Sequence, residues 1–446
     1  MPSFKAEVNM SGSVEAGDMQ IAISQLELPD RPDPTPPDRP DRPPIEPPIE
    51  PPIEPPDQGG GTPPGSSFTP PSYLRTDTER ESVPSSARPN YLQPFKDLLF
   101  GTTIIRVSGD PGASIRNIQG GRWGTIATHH YSSDSAWNAD ESLLFLDQND
   151  GGTPSNLFLD GSSYQPLFTG ANKPSSADIR WDPAHPDLML CASKDQLISW
   201  NPRTGEQEVL ATFSGFSDLS QGPWEGSPSG DGTKVVLTSD SQRKAFVYDL
   251  AADQQWPVID GSRYGEFSDC RISRGGTLMV WKLSPDQVTV TDFNGNVVHQ
   301  FQNNAISHFD VSLDAAGNEV MCGRINSSSF GNSGAVAMHF LLTGERRELQ
   351  QAKGWCSHTS CRSLTNYVVA GATDEGTSYD YRGEILMFDM AGSGKVYRLG
   401  HTHTPTDPSY EQEMHPCHSP QGGRVIFKSN WGSGSGAQSY VIDFRS

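Results

Sequence analysis

The sequence predicts an all-β chain, a seven-bladed β-propeller preceded by a disordered proline-rich tail. Three observations predict it. After about Tyr91 almost no segment keeps a 3.6-residue apolar period, so amphipathic helices are not the main element. Short β-rich runs alternate with turn clusters as far as the C-terminus: SLLFLDQ, DLMLCAS, KVVLTSD, TLMVWKL, EVMCGRI, NYVVAGA and RVIFKSN. A unit of buried strand, hairpin and second strand recurs about every 40 residues, which is the spacing of propeller blades.

Seven copies of the unit start near Ser135, Ala177, Trp224, Phe267, Ser307, Ser357 and Met414. Turn-forming stretches precede the runs (WNADES, WDPAHPD, PSGDGT, SRGGT, LDAAGNE, SPQGGR), and strands such as AFVYDLAADQQ, VTVTDFNGN and EILMFDMAGSG follow them. One such unit cannot bury both faces of its sheet, so the copies must stack around an axis. The last copy ends in SYVIDF close to the C-terminus. A strand from ahead of Ser135, either TIIRVS or WGTIATH, is expected to complete the last blade and close the ring. A two-sheet sandwich array or a β-helix is the other arrangement such runs permit.

Ahead of the propeller, expected over residues 96–446, lie two further segments. Residues 1–28 hold short alternating stretches and are expected to form a small docking or anchoring element. Residues 29–95 hold three PPIE repeats followed by Gly and Ser; proline fixes φ and removes a donor, so this tract is expected to be a disordered, extended linker. A ligand for a proline-reading module is its second reading.

Net charge bounds the partners. At −21, the chain lacks the basic footprint of a general nucleic-acid binder and is not drawn to an anionic membrane. A local Arg/His pocket for an acidic polysaccharide remains compatible with it. No stretch approaches the ~20 apolar residues of a membrane span, and the first twenty residues lack the apolar core of a secretory signal. Placement is therefore left open between export by another route and attachment to a virion. The six cysteines are spread too widely for a disulfide-stapled fold.

Three constellations could carry chemistry. The first is THHYSSDSAWNADES, with His129, His130 and Tyr131. Adjacent histidines on a strand point to opposite faces, so one of them faces any given site. Asn138 and Asp140 in the same stretch read as turn builders. The second is ISHFD, WCSHTSCR, LGHTHT and EMHPCHSP. Seven of the eleven histidines lie between Ala305 and Ser419, beside Cys356, Cys361 and Cys417. Zinc accepts both donor types, and satisfied structural histidines with buried free thiols are the plain alternative. The third is Arg263, Tyr264 and Arg271, with Arg324 of similar standing; an Arg fork can neutralise a carboxylate and a tyrosine can move a proton. WEGSPSGDG, with Trp224 and Glu225, reads as inter-blade packing with a polar plug. No GxSxG, P-loop or HExxH occurs, which leaves hydrolase triads and nucleotide chemistry unsupported.

HFDVSLDAAGNEV, SHTSCR, YRGEILMFD, EMHPCHSPQGGRVIFKSNWG and YSSDSAWNADESLLFL together resemble propeller-type polysaccharide lyases, most nearly the ulvan-lyase type and more distantly the oligogalacturonate-lyase type. The resemblance runs from roughly Ser108 to Ser446. It implies β-elimination on a uronic-acid polysaccharide, with His130 or His129 where those lyases place a catalytic histidine and Tyr131 beside it. Tyr264 and Arg324 carry over by chemistry more than by motif. It also implies a largely structural divalent metal, zinc or another, held among His308, His358, Cys361 and His401, with His415 next. The stretch LDQNDGG carries no histidine where those lyases have a second one. Two functions follow: a lyase on an anionic glycan, or a non-catalytic glycan- or protein-binding propeller tethered through residues 1–28 to a larger assembly.

Overall fold

The period-two alternation of the strands joins one sheet to the next. In the strand Glu319–Arg324, Val320 and Cys322 pack with Val368, Ala370, Leu386 and Phe388 of the sheet that follows. Met321, between them, packs with Val280, Val288 and Val290 of the sheet that precedes. The strand Tyr367–Ala372 repeats the device: Val368 and Ala370 face backward, and Val369 faces forward onto Val425, Phe427 and Ile442. Side chains on a pleated strand point alternately to its two faces, so each sheet is buried on both sides only by having a neighbour on each. The result is an all-β propeller.

These contacts come from a computed structural model that describes residues 68–445, apart from 176, 223–224, 285–286, 303–305, 327–332, 350–353, 374–379, 405–407, 433 and 435. The expected anchor at 1–28, the PPIE repeats and Trp224 lie outside the described residues. Among the described residues there is no α-helix, and none long and apolar enough to cross a membrane.

Five successive antiparallel sheets of four or five strands run from Asp178 to His401. We call them the second to sixth. Their inner strands are Asp178–Trp181, Leu219–Ser220, Glu266–Ile272, Ser307–Leu313 and Cys356–Ser360. The ring closes in a composite sheet. The antiparallel strands Arg424–Ser429 and Ala437–Asp443 take Thr103–Arg106 on the outer side, with Ile104 opposite Ile442. Ile126–Thr128 adds to the same strand in parallel, with Ile126 opposite Ala437. Both candidate closing segments are thus used.

The expectation of seven complete blades needs correction: among the described residues six sheets have four or more strands. The copy expected near Ser135 pairs only Leu143–Leu146, Leu157–Asp160 and Pro166–Phe168. Its inner edge is reduced to an isolated bridge between Trp137 and Leu144. Asn138 is the local reason. Its Oδ1 accepts from the Leu143 N–H at 2.9 Å, its own N–H donates to the Leu143 carbonyl at 3.2 Å, and Glu141 follows at φ 60°. A side-chain turn thus replaces the ladder. Asp140 also builds this turn, accepting from the Ser142 N–H at 3.0 Å.

The linker boundary is corrected as well. From Phe68 on, the chain is docked on the propeller. The Phe68 ring meets Tyr367 and Phe444 edge-on at 5.7 and 6.0 Å, Leu74 is buried, and the Ser86 carbonyl accepts from Trp431 Nε1 at 3.2 Å. Buried Arg398 holds Glu384 at 2.7 Å and reaches Asp77 of this segment at 3.0 Å. Apolar anchors and a shared ion pair override the local preference of prolines for a solvated, extended chain.

Candidate functional site

Two inner strands break register at a histidine. In the fifth sheet Ser307 pairs with Arg324 and Asp310 with Cys322, so residues 308–309 oppose the single residue Gly323. In the sixth, Cys356 pairs with Ala372 and Thr359 with Ala370, so residues 357–358 oppose Gly371. Each is a β-bulge, which bends a strand and re-aims its side chains. The partner is glycine both times, at Gly323 because the bulged strand comes too close for a side chain and at Gly371 because Met414 does. A Cβ on Gly323 would lie 2.7 Å from Phe309 Cβ, and one on Gly371 would lie 2.9 Å from the Met414 thioether. The bulges deliver His308 (φ 46°) and His358 to one place.

The third contributor is the approach to the closing sheet. A 3-10 turn, Tyr410–Gln412, capped by Ser409, ends at Glu413, and His415 follows two residues on with φ 39°. The His358 and His415 rings stack at 4.0 Å, 27° from parallel. The Nε2 atom of each lies 3.5 Å from Glu413 Oε2. His308 is edge-on to His358 at 4.8 Å. Tyr131 is edge-on to His358 and His415 at 5.1 and 4.8 Å.

Electrostatics keeps these imidazoles neutral. Burial pushes His358 and His415 well below the usual histidine range. His308 is pushed down to about 3, by burial first and then by the cations Arg324, Lys282 and Arg271. Neutral imidazole is the form that binds a metal. His358 Nδ1 and both ring nitrogens of His415 are buried without a hydrogen-bond partner. Their donor atoms, one each from His358, Glu413 and His415, all lie within 4.8 Å of one another. Two neutral imidazoles and a carboxylate around orphaned nitrogens fit a divalent cation.

The expected site residues divide. His308, His358 and His415 come together. Cys361 does not join them: it lies in the apolar cluster with Val320, Leu386 and Phe388, its thiol pushed well up by burial and by the Cys322 thiol beside it. His401 is also elsewhere, its Nδ1 3.3 Å from Asp97 and its ring 4.8 Å from Phe100. His129 is walled off: Nε2 donates to the His415 carbonyl at 2.8 Å, and Nδ1 lies 3.1 Å from the Ser439 hydroxyl. His130 points the other way, half-buried, with Nδ1 on the Asp134 carboxylate. It lines a cleft with Asp147, Phe145 and Trp181. Burial raises the Asp134 acid, but Arg180 at 2.9 Å and His130 outweigh it and hold it below the usual carboxylate range. Arg324, opposite Ser307, stands over the Trp355 ring at 5.0 Å. Tyr264 is not in the site; its hydroxyl donates to the Gly295 carbonyl at 2.7 Å and its ring packs on Trp281.

Glu413 and Lys428 were missed. The carboxylate of an E-x-H pair on an extended segment falls on the same side as the histidine, and EMH carried that signal. Lys428 is buried beside the cluster, where burial pushes its amine down to about 8 against the pull of Glu411, Asp147 and Glu413. Nothing in the local pattern of RVIFKSN distinguishes it from a surface lysine.

No protein-family model and no curated protein matches the chain. Among solved structures, it is similar to an oligogalacturonate lyase in complex with manganese and to the oligogalacturonate lyase of Vibrio parahaemolyticus. Each is 13% identical with a TM-score of 0.54; the match covers 79% of this chain and 95% and 96% of theirs, respectively. At that identity the likeness is one of fold. It falls on the oligogalacturonate-lyase side of the expected resemblance, and neither neighbour is of the ulvan-lyase type.

Proposed function

We propose that the chain is a polysaccharide lyase that cleaves a uronic-acid-containing glycan by β-elimination, with a divalent cation held by His358, Glu413 and His415. The observation that carries the reading is the grouping of Arg324, Lys282 and Arg271 beside neutral His308, on a chain whose net charge is −21. Arg271 and Lys282 already hold the Glu225 carboxylate, and Arg271 also Asp269, so this group is built to receive acid groups and suits an anionic substrate. The likeness in fold to oligogalacturonate lyases supports the same class.

When bound, the cation would supply positive charge to the substrate carboxylate and so acidify the neighbouring C–H. The remaining roles fall to the chain. Arg324 adds charge to the same acid group. His130, oriented by Asp134 through Nδ1, takes the C5 proton on Nε2; Asp134 is in turn fixed by Arg180. The C4–oxygen bond breaks as the C4=C5 double bond forms. Tyr131, whose phenol burial keeps protonated, gives its proton to the departing oxygen. Phe145 and Trp181 close the inner wall of the small cleft beside His130 as part of the apolar core. His129 holds the backbone of His415 in place.

The test incubates the full chain with ulvan, pectate, alginate and glycosaminoglycans, with added manganese or zinc, and follows the ultraviolet absorbance of the unsaturated uronate. Absorbance that rises with one of them and is lost in His130→Ala supports the reading. A flat trace across the panel rejects it in favour of a binding propeller.

A further inference from the structure

We infer that Arg271 and Lys282 form a subsite for the carboxylate of a uronate, and that the Glu225 side chain is an internal occupant which the ligand's acid group replaces. This rests on the reading of the chain as one that takes a uronate glycan.

Glu225 is placed by sheets other than its own. Its carbonyl accepts from the Ser133 hydroxyl at 3.0 Å. The carbonyl of Gly226 accepts from Arg180, Ser227 Oγ lies 3.3 Å from Asp134 Oδ1, and the Pro228 carbonyl accepts from Arg362 at 2.9 Å. Ser133 and Asp134, Arg180 of the second sheet and Arg362, just past the inner strand of the sixth, thus hold residues 225–228, and the carboxylate of Glu225 is carried onto the fourth sheet. There it meets Arg271 Nη2, and both its oxygens lie 3.3 Å from Lys282 Nζ.

Arg271 has fixed partners besides this carboxylate. Its Nε already donates to Asp269 at 2.7 Å, its Nη1 to the Phe309 carbonyl, and its guanidinium lies over the Phe309 ring at 4.6 Å. Asp269 is the built-in structural partner, and Nη2 is the donor left over. Glu225 is the cover: the Glu225 and Lys282 side chains are 17% and 21% exposed, and Arg271 is wholly buried beneath them. Phe309 follows His308 directly, so the pair of cations lies beside the histidine cluster.

A guanidinium nitrogen and an ammonium converging on one carboxylate recognise any carboxylate of similar reach. A uronate offers the same two oxygens, whereas a neutral sugar offers none. Because Glu225 is tethered, its effective concentration is on the order of millimolar or more, and it competes with the ligand. Removing its charge should therefore raise affinity for acidic sugars alone.

The test is calorimetric binding of galacturonate and of galactose to the full chain in the presence of manganese. Glu225→Gln is expected to bind galacturonate at least about tenfold tighter than the unaltered chain, with galactose unchanged. The gain should vanish in Glu225→Gln/Lys282→Met. Unchanged or weaker galacturonate binding by a folded Glu225→Gln overturns the proposal. If that variant does not fold, crystals of the unaltered chain soaked in galacturonate decide. An acid group against Arg271 and Lys282, with Glu225 turned away, supports the subsite; an acid group elsewhere with Glu225 in place rejects it. Tighter binding with no unsaturated product from any polysaccharide keeps the subsite and rejects the lyase. Lyase activity with unaltered galacturonate affinity does the reverse.

Discussion

His358 lies in the sixth sheet and His415 on the approach to the closing one, yet their rings stack at 4.0 Å with one Glu413 oxygen 3.5 Å from both Nε2 atoms. Two buried neutral imidazoles facing one carboxylate leave more acceptor lone pairs than donors. A cation resolves that imbalance. Loss of either ring should then be read first in metal content. His358→Ala and His415→Ala, measured by elemental analysis after dialysis against manganese, are expected to fall from about one equivalent to a small fraction. Full retention by both would reject the site.

Cys361→Ala and His401→Gln should keep the metal. Cys361 is packed in an apolar cluster and His401 is engaged with Asp97. Each change should instead lower stability by roughly 1–3 kcal/mol, the usual range for disturbing a buried side chain. Metal loss in either variant at full folding would return that residue to the ligand set.

The two adjacent histidines should separate by phenotype. His130→Ala is expected to lower kcat by about 10²–10⁴, the usual contribution of a positioned acid or base, with the melting temperature little changed. His129→Ala should mainly destabilise, because it leaves the His415 carbonyl without the imidazole and the Ser439 hydroxyl with only the His129 N–H. The reverse pattern would exchange their roles.

The glycines opposite the bulges should resist substitution unequally. A Cβ on Gly323 would press on the Phe309 Cβ and the Ser307 carbonyl, which cannot move without the strand, whereas on Gly371 it would meet mainly the flexible end of Met414. Overpacking costs about 1–3 kcal/mol. Gly323→Ala should fall near the top of that range and Gly371→Ala near the bottom, as read from urea unfolding. Equal costs would mean that the mobility of the contacted atoms does not set the penalty.

Acid should unfold the protein earlier than its carboxylates alone require. Burial pushes His339 down to about 4 and His418 to about 3. An unfolded histidine titrates near 6.5. Between about pH 6.5 and 4 the unfolded chain therefore binds protons that the fold refuses. Stability is complete above that window and falls as pH drops through it, by up to about 1.4 kcal/mol per pH unit for each such group. Urea midpoints at pH 7.5, 6 and 5 should decline, and more shallowly in His339→Phe. Flat midpoints would show that these rings protonate in place.

By itself the sequence determined the class of fold, because β-rich runs at a regular spacing leave faces that only stacked neighbours can bury. It also carried the Asn138 and Asp140 turn, the two segments that close the ring, and the concentration of histidines in the later copies. These are local or periodic properties, and local chemistry expresses them directly. The tertiary structure decided direction and company. Alternation places His129 and His130 on opposite faces, but packing against Ser439 and the His415 backbone selects which one is walled in. The bulge at residues 357–358 resets the strand's alternation, so Cys361 falls on the same side as Cys356, in the apolar core, and away from the histidines. Glu413 is one of 54 acidic residues until the chain folds back to set its carboxylate 3.5 Å from both imidazoles. The docking of Phe68 to Ser86 and the loss of a full inner strand near Ser135 depend on partners hundreds of residues away or on a single side-chain turn, and no window of sequence contains either.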